Sequence, residues 1–250
     1  MATEGSWSPN TYKTRLSLIY KGLPFRVKYI SYPDIEPLLK GLGFPPTSPT
    51  FPRYTLPMIA DPSSDPDGKP TYIVESFEIA VYLDDKYPAP KYPAIFPPGT
   101  RALQKITSDL FMNEVGYSLF PFTLLSVAKP GFLDDRGHEY FASTREQYIK
   151  RMSEDPALSG SKKMGEIHDK WDEFGKKLDY NKGPGEDGPF VMGNRISFTD
   201  FAIGGAIFWL RRAEGGDTPQ WKIMTEWQGG RWARIWAEIE KLEKASTEVA

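Results

Sequence analysis

Three stretches, Leu56-Pro57-Met58-Ile59-Ala60, Thr71-Tyr72-Ile73-Val74 and Glu75-Ser76, carry the reading of this chain's fold. The first two have the length and β-forming side chains of short strands, and the acidic run Asp61 to Gly68 between them reads as a hairpin connection. Asp65-Pro-Asp-Gly68 has the look of a calcium loop. It lacks a bidentate Glu at the required distance, so a solvated turn is the better reading. Pro57 is odd within a strand, because proline cannot donate to a ladder. It marks either an edge strand or a cis bond after Leu56 that leaves Leu56 backbone groups open to a peptide-like ligand. Glu75-Ser76 opens a helix running to Tyr87, either as a simple cap or as a site where free amides bind a carboxylate.

Outward toward the start, Ser8-Pro9-Asn10-Thr11 begins a helix, with Ser suited to the N-cap and Pro to the first turn. Tyr12, Leu16, Ile19 and Tyr20 form its apolar face, and Gly22 with Pro24 ends it. Phe25 to Ile30 alternates like a strand, and Pro33 to Leu42 is a weaker helix. The predicted order is helix, strand, helix, strand, strand, helix.

Outward toward the end, composition changes. Seventeen of the 23 Pro lie in residues 1–100, whereas six of the seven Trp lie after residue 170. The Pro-rich Tyr87 to Pro98 segment reads as an interdomain linker, giving domains at 1–90 and 97–250. The second is predicted all-helical. Leu103, Ile106, Leu110 and Tyr117 mark one long helix, and Met164, Ile167, Trp171, Phe174 and Leu178 another. A terminal helix carries Trp232, Ile235, Trp236, Ile239 and Leu242. Between them Ser197-Phe-Thr-Asp200 is a capping box, with Ile196 and Phe201 placed as a hydrophobic staple. The helix it starts, Phe198 to Leu210, is apolar all round and belongs at a domain centre.

The composition excludes several functions. The 31 Lys plus Arg against 33 Asp plus Glu leave a net charge of -2, which argues against nucleic acid as a partner. With no Cys there is no disulfide scaffold, zinc ribbon or cysteine nucleophile, and two His are too few for a multi-histidine site, so no metal is expected. Met1 to Trp7 does not read as a signal peptide, nor Ile196 to Leu210 as a membrane span, so a cytoplasmic location is expected. No G-x-S-x-G occurs, and the glycines at 183, 185, 188 and 193 lack a G-K-[ST]. Ser8 is an N-cap on its own evidence; beside a helix N-terminus its hydroxyl could also stabilise a thiolate. Glu114, near Tyr117, Phe120 and Phe122, is either a paired structural carboxylate or a polar group in an aromatic cleft.

The order of these signals resembles a glutathione transferase. Within that superfamily, Trp7-Ser-Pro-Asn-Thr-Tyr-Lys-Thr-Arg15, Lys21-Gly-Leu-Pro24 and Tyr32-Pro-Asp-Ile-Glu36 are similar to the fungal-specific A-type class, related to bacterial glutathione-dependent lignin β-etherases. The resemblance implies an α/β thioredoxin-like first domain and an all-α second domain. It implies glutathione as co-substrate, a homodimer, and attack by the thiolate on aromatic electrophiles or aryl ethers in detoxification. Ser8 then matches the thiol-activating residue, Leu56 before Pro57 the partner of the cysteinyl backbone, and Glu75 with Ser76 the γ-glutamyl binders. Lys40 and Arg53 are candidates for the glycine carboxylate. Asn10, Tyr12, Phe111, Glu114, Tyr117 and Phe120 are candidates for the acceptor site. One departure stands out: family members carry a short apolar interior strand ahead of the serine segment, and nothing in Met1 to Trp7 reads as one. Either residues 1–7 extend to form a makeshift strand, or the sheet is rearranged or frayed around Leu56 and Phe25. Two other classes fit the pattern less closely, a non-catalytic carrier of aromatic molecules and a regulatory transferase-like domain.

Overall fold

A computed structural model describes residues 6–62, 65, 67–158, 160–183, 187–216 and 218–249. A thioredoxin-like first domain with a two-stranded sheet is followed by a helical domain. Helix α1 spans Pro9–Tyr20 and α2 Tyr32–Gly41. Strands β1 (Met58–Asp61) and β2 (Thr71–Val74) pair antiparallel, Met58 opposite Val74, and lead into α3 (Ser76–Lys86). The helical domain holds α4 (Arg101–Leu110), α5 (Phe120–Val127), α6 (Asp135–Thr144), α7 (Glu146–Glu154) and α8 (Ser161–Leu178). Then follow α9 (Phe198–Glu214), α10 (Pro219–Glu226) and α11 (Arg231–Lys244). Among the described residues, no helix is long and apolar enough to cross a membrane.

The alternation from Phe25 to Ile30 does not become a strand. Only Phe25 pairs, in a parallel bridge to Glu248, and Val27 and Tyr29 are exposed. An alternating segment holds a ladder only beside another strand, and among the described residues none lies there. The expected makeshift strand falls mostly on residues 1–5, outside those described; Ser6 and Trp7 are irregular. What holds this region is the end of the chain. Val249 N–H donates to Phe25 O at 2.9 Å, Thr247 Oγ1 donates to Leu23 O at 2.6 Å, and Arg15 pairs with both Glu243 and Glu248.

The central helix is α9. Phe201, Ala202, Ile203, Ala206, Ile207 and Leu210 are all fully buried. Its start is built as the sequence predicted: the Asp200 carboxylate accepts the Ser197 amide and the Ser197 hydroxyl, each at 2.8 Å. A third donor comes from outside the box, the Val191 amide at 2.8 Å. Gln104 of α4 adds another tie, its Oε1 accepting the Thr199 amide at 2.9 Å and hydroxyl at 2.7 Å.

That tie reverses α4. Leu103, Ile106 and Leu110, expected to face the core, are 53%, 64% and 44% exposed, while Gln104 and Ser108 are buried. The apolar stripes of α8 and α11 do face inward, Trp171, Ile167, Trp232 and Ile239 being fully buried. The linker is itself pinned. Asp84 accepts the amides of Ile95 and Phe96 at 2.9 Å and forms a buried pair with Lys21 at 2.5 Å. The cost of desolvating both charges offsets much of the attraction in such a buried pair. Asp61, at the start of the acidic turn, accepts the hydroxyls of Tyr82 at 2.7 Å and Tyr87 at 3.0 Å.

Candidate active site

Ser8 caps α1, its Oγ accepting the Asn10 amide at 3.2 Å. As a hydroxyl it also carries one donor, and that hydrogen has no acceptor among the described residues. The position is set by packing of α1 on α9: Tyr12 stacks on Phe208 with centroids 3.8 Å apart and planes 1° from parallel. Ser8 therefore sits on a buried helix end, with a free O–H and the positive end of the helix dipole together.

The Leu56–Pro57 bond is cis. Among the described residues neither the amide nor the carbonyl of Leu56 has a hydrogen-bond partner, whereas the Pro57 carbonyl accepts the Glu75 amide at 3.2 Å. This bond brings together two stretches that the sequence separates by a hairpin. Glu75 has φ 70°, a region unfavourable for a residue with a Cβ, and it caps α3 directly ahead of buried Ser76. Strain of this kind costs roughly 1–3 kcal/mol and clusters at functional sites. Burial pushes the Glu75 carboxyl up, opposed by the ammonium of Lys13. Lys13, itself buried, is pushed down to about 8.

Ser8 and Leu56 line one cavity of about 760 Å³ between the first domain and α5, α6 and α9. Glu75 and Ser76 lie outside its lining, joined to it through Pro57 and through Thr55, whose hydroxyl approaches Glu75 at 3.5 Å. Of the two basic candidates, Arg53 lines the cavity. Lys40 does not; it pairs with Glu36 at 2.5 Å and covers the Tyr54 ring.

The acceptor candidates divide evenly. Asn10, Tyr117 and Phe120 line the cavity, the Asn10 amide 3.4 Å from the Tyr117 hydroxyl. Tyr12, Phe111 and Glu114 do not. Tyr12 is buried against Phe208, where burial and Glu243 push its phenol up. Phe111 is core, its ring 5.4 Å from Trp171 and 5.0 Å from Phe174. Glu114 is exposed, its carbonyl accepting from Lys170 at 3.1 Å and its carboxylate without a partner among the described residues. A π-helical turn at Phe111–Val115 and a 3₁₀ turn at Gly116–Leu119 join α4 to α5. Each changes the rotation per residue from that of an α-helix.

The cavity's aromatic wall was not visible in the sequence. Trp7, next to Ser8, meets Phe132 at 5.9 Å, Phe141 at 6.2 Å and Tyr32 at 6.3 Å between centroids. Burial pushes the Tyr32 phenol up to about 12. Trp209 of α9 closes the wall edge-on to Tyr117. The only local hint was Trp7 itself, beside an N-cap; Phe132 and Phe141 fall in a stretch with no periodic signal.

The N-terminal domain of glutathione S-transferases matches residues 7–86, and their C-terminal domain matches residues 102–242. The chain belongs to the glutathione S-transferase family. Among glutathione transferases, it is 32% identical to the glutathione S-transferase-like protein ustS of Aspergillus flavus, over 96% of this chain and 87% of that one. The glutathione transferase GSTFuA3 of Phanerochaete chrysosporium superposes with a TM-score of 0.81 at 33% identity, covering 95% of this chain and 91% of that chain. CsGST63524 of Ceriporiopsis subvermispora, solved in complex with glutathione, gives 0.80 at 34% identity, over 97% and 93%.

Proposed function

We propose that this glutathione transferase joins the glutathione sulfur to aromatic electrophiles, and that it falls in the fungal-specific A-type class. The observation that carries the reaction is Ser8: an N-cap hydroxyl with a free hydrogen, opening on an aromatic cavity that also holds the unpaired Leu56 backbone. The relatives named GSTFuA3 and CsGST63524 support the class and the co-substrate.

In this reading the Leu56 amide and carbonyl pair with the cysteinyl backbone, as an added strand would. Ser76 and the α3 N-terminus take the γ-glutamyl carboxylate, Glu75 its amine, and Arg53 the glycine carboxylate. A free thiol ionises near pH 8.5, so binding must lower that value by roughly one to two units. Ser8 donates to the thiolate, and the α1 dipole favours the anion. The thiolate attacks an electrophilic carbon of an aromatic acceptor held near Asn10, Tyr117 and Phe120. A bond to sulfur forms while a halide or a phenolate leaves with its electron pair. A phenolate leaving from an aryl ether needs little acid assistance.

A homodimer accompanies this reading. Its contact surface is the stripe Leu103, Ile106 and Leu110, which stays exposed within one chain. A stripe along one helix is self-complementary about a two-fold axis.

The test is turnover with glutathione and a panel of aryl halides and aryl ethers, in the parent and in Ser8→Ala. We expect the variant to lose at least tenfold in rate while losing about 1 kcal/mol of stability as a missing cap. An unchanged rate at pH 6.5 reduces Ser8 to a cap. Binding of aromatic molecules with no turnover makes the chain a carrier instead.

A further inference from the structure

The cavity's helical side carries a cation with no carboxylate. Arg145 sits where α6 ends and α7 begins, at φ -122° and ψ 13°, and this break turns its side chain into the cavity lining. The guanidinium lies 4.2 Å from the centre of the Phe141 ring and 5.5 Å from that of Tyr32. Among the described residues its one side-chain hydrogen bond is to the neutral Thr144 hydroxyl at 2.8 Å. Among the described residues no Asp or Glu pairs with it.

The two carboxylates in the lining are already engaged. Asp134 caps α6 through the Gly137 amide at 3.0 Å and accepts the Ser31 hydroxyl at 2.8 Å; these donors hold its carboxyl below the usual range. Glu36 pairs with Lys40. Arg145 is therefore half-buried over two aromatic rings, in the lining of the cavity and without a carboxylate partner among the described residues. A guanidinium offers a planar fork of donors that matches a carboxylate. Phe141 and Tyr32 both touch Trp7, and Trp7 precedes Ser8. Arg145 and Ser8 thus line the same cavity, with the Phe141, Tyr32 and Trp7 rings in its wall.

We propose that Arg145 selects acceptors that are aromatic carboxylates, with the acid on the guanidinium and the electrophilic carbon toward Ser8. The inference takes its chemistry from the transferase reading, but its binding step stands alone. With 4-(chloromethyl)benzoate, sulfur bonds to the benzylic carbon and chloride leaves with the C–Cl pair, the thiol proton having gone to water.

Two measurements separate the readings. The first is binding, without chemistry, of naphthalene-2-carboxylate and its neutral analogue 2-acetylnaphthalene, followed by quenching of Trp fluorescence in the parent, Arg145→Gln and Arg145→Lys. We expect Arg145→Gln to weaken the carboxylate at least tenfold and the neutral ligand less than twofold, with Arg145→Lys between. Equal losses for both ligands, or none for either, overturn the proposal. The second is kcat/KM for 4-(chloromethyl)benzoate against its methyl ester, where Arg145→Gln should lower the acid-to-ester ratio at least tenfold. Selective binding without turnover sinks the transferase reading and leaves this one standing. Turnover with an unchanged ratio does the reverse.

Discussion

Gly205 of α9 lies so close to Pro9 of α1 that a Cβ built on it would stand 2.8 Å from the Pro9 carbonyl oxygen. That approach seats the residue following Ser8 against the most buried helix of the second domain. The serine is thus positioned by the helical domain as much as by its own.

Gly205→Ala should therefore act on stability and chemistry together. The clash is with backbone, which cannot swing aside, and overpacking of this kind costs about 1–3 kcal/mol. A lower melting temperature with a reduced kcat at saturating glutathione is the expected pair. A lower melting temperature with unchanged kcat would show that α1 tolerates the shift.

Asp200→Ala removes one acceptor from three donors, the amides of Val191 and Ser197 and the Ser197 hydroxyl. Each donor left buried and unpaired costs roughly 1–3 kcal/mol, so three should cost on the order of 3–9 kcal/mol, more than an ordinary cap. Denaturant melts check this, and a midpoint equal to the parent's contradicts it.

Lys13 gives a pH dependence with a definite sign. Burial lowers it to about 8 in the folded chain, against about 10.4 unfolded. Between those values the unfolded chain binds more protons, so the parent gains stability as pH rises from about 8 toward about 10.4. Lys13→Met should be more stable than the parent at pH 7, by on the order of 2 kcal/mol after allowing for local screening. The advantage should fade above pH 8, as melting curves across that range would record; a gap independent of pH assigns it to packing.

Ile106→Glu should convert a dimer to a monomer in sedimentation, with helix content unchanged. Ile106 is 64% exposed within one chain, so the substitution leaves the monomer's core intact. A monomeric parent removes the role given to the α4 stripe.

How far each feature could be read from the sequence follows from how local its cause is. The Ser8 cap and the Ser197–Asp200 box depend on neighbours within one turn, and both formed as read. The Leu103, Ile106 and Leu110 stripe was legible as apolar, but which face a helix buries is decided by its partners, here Gln104 reaching Thr199. Phe111 and Glu114 were candidates through the family resemblance, and which side chains of that stretch reach the cavity depends on the packing around its π turn, which has no local signal. Phe25 to Ile30 has a strand's alternation without a neighbour to pair with. Arg145 matters through where α6 breaks, and nothing in its own stretch signals that.

The hold of Thr247, Glu248 and Val249 on Leu23, Phe25 and Arg15 has a practical reach. The last turn of α11 and the residues after it are, in mechanical terms, part of the glutathione-side domain. A purification tag fused at that end, or a trim of a few residues there, would be felt at the serine helix more than 200 positions earlier in the chain. Exchanging whole second domains between relatives would carry this strap along. Such hybrids should be cut on both sides of it, or not cut at all.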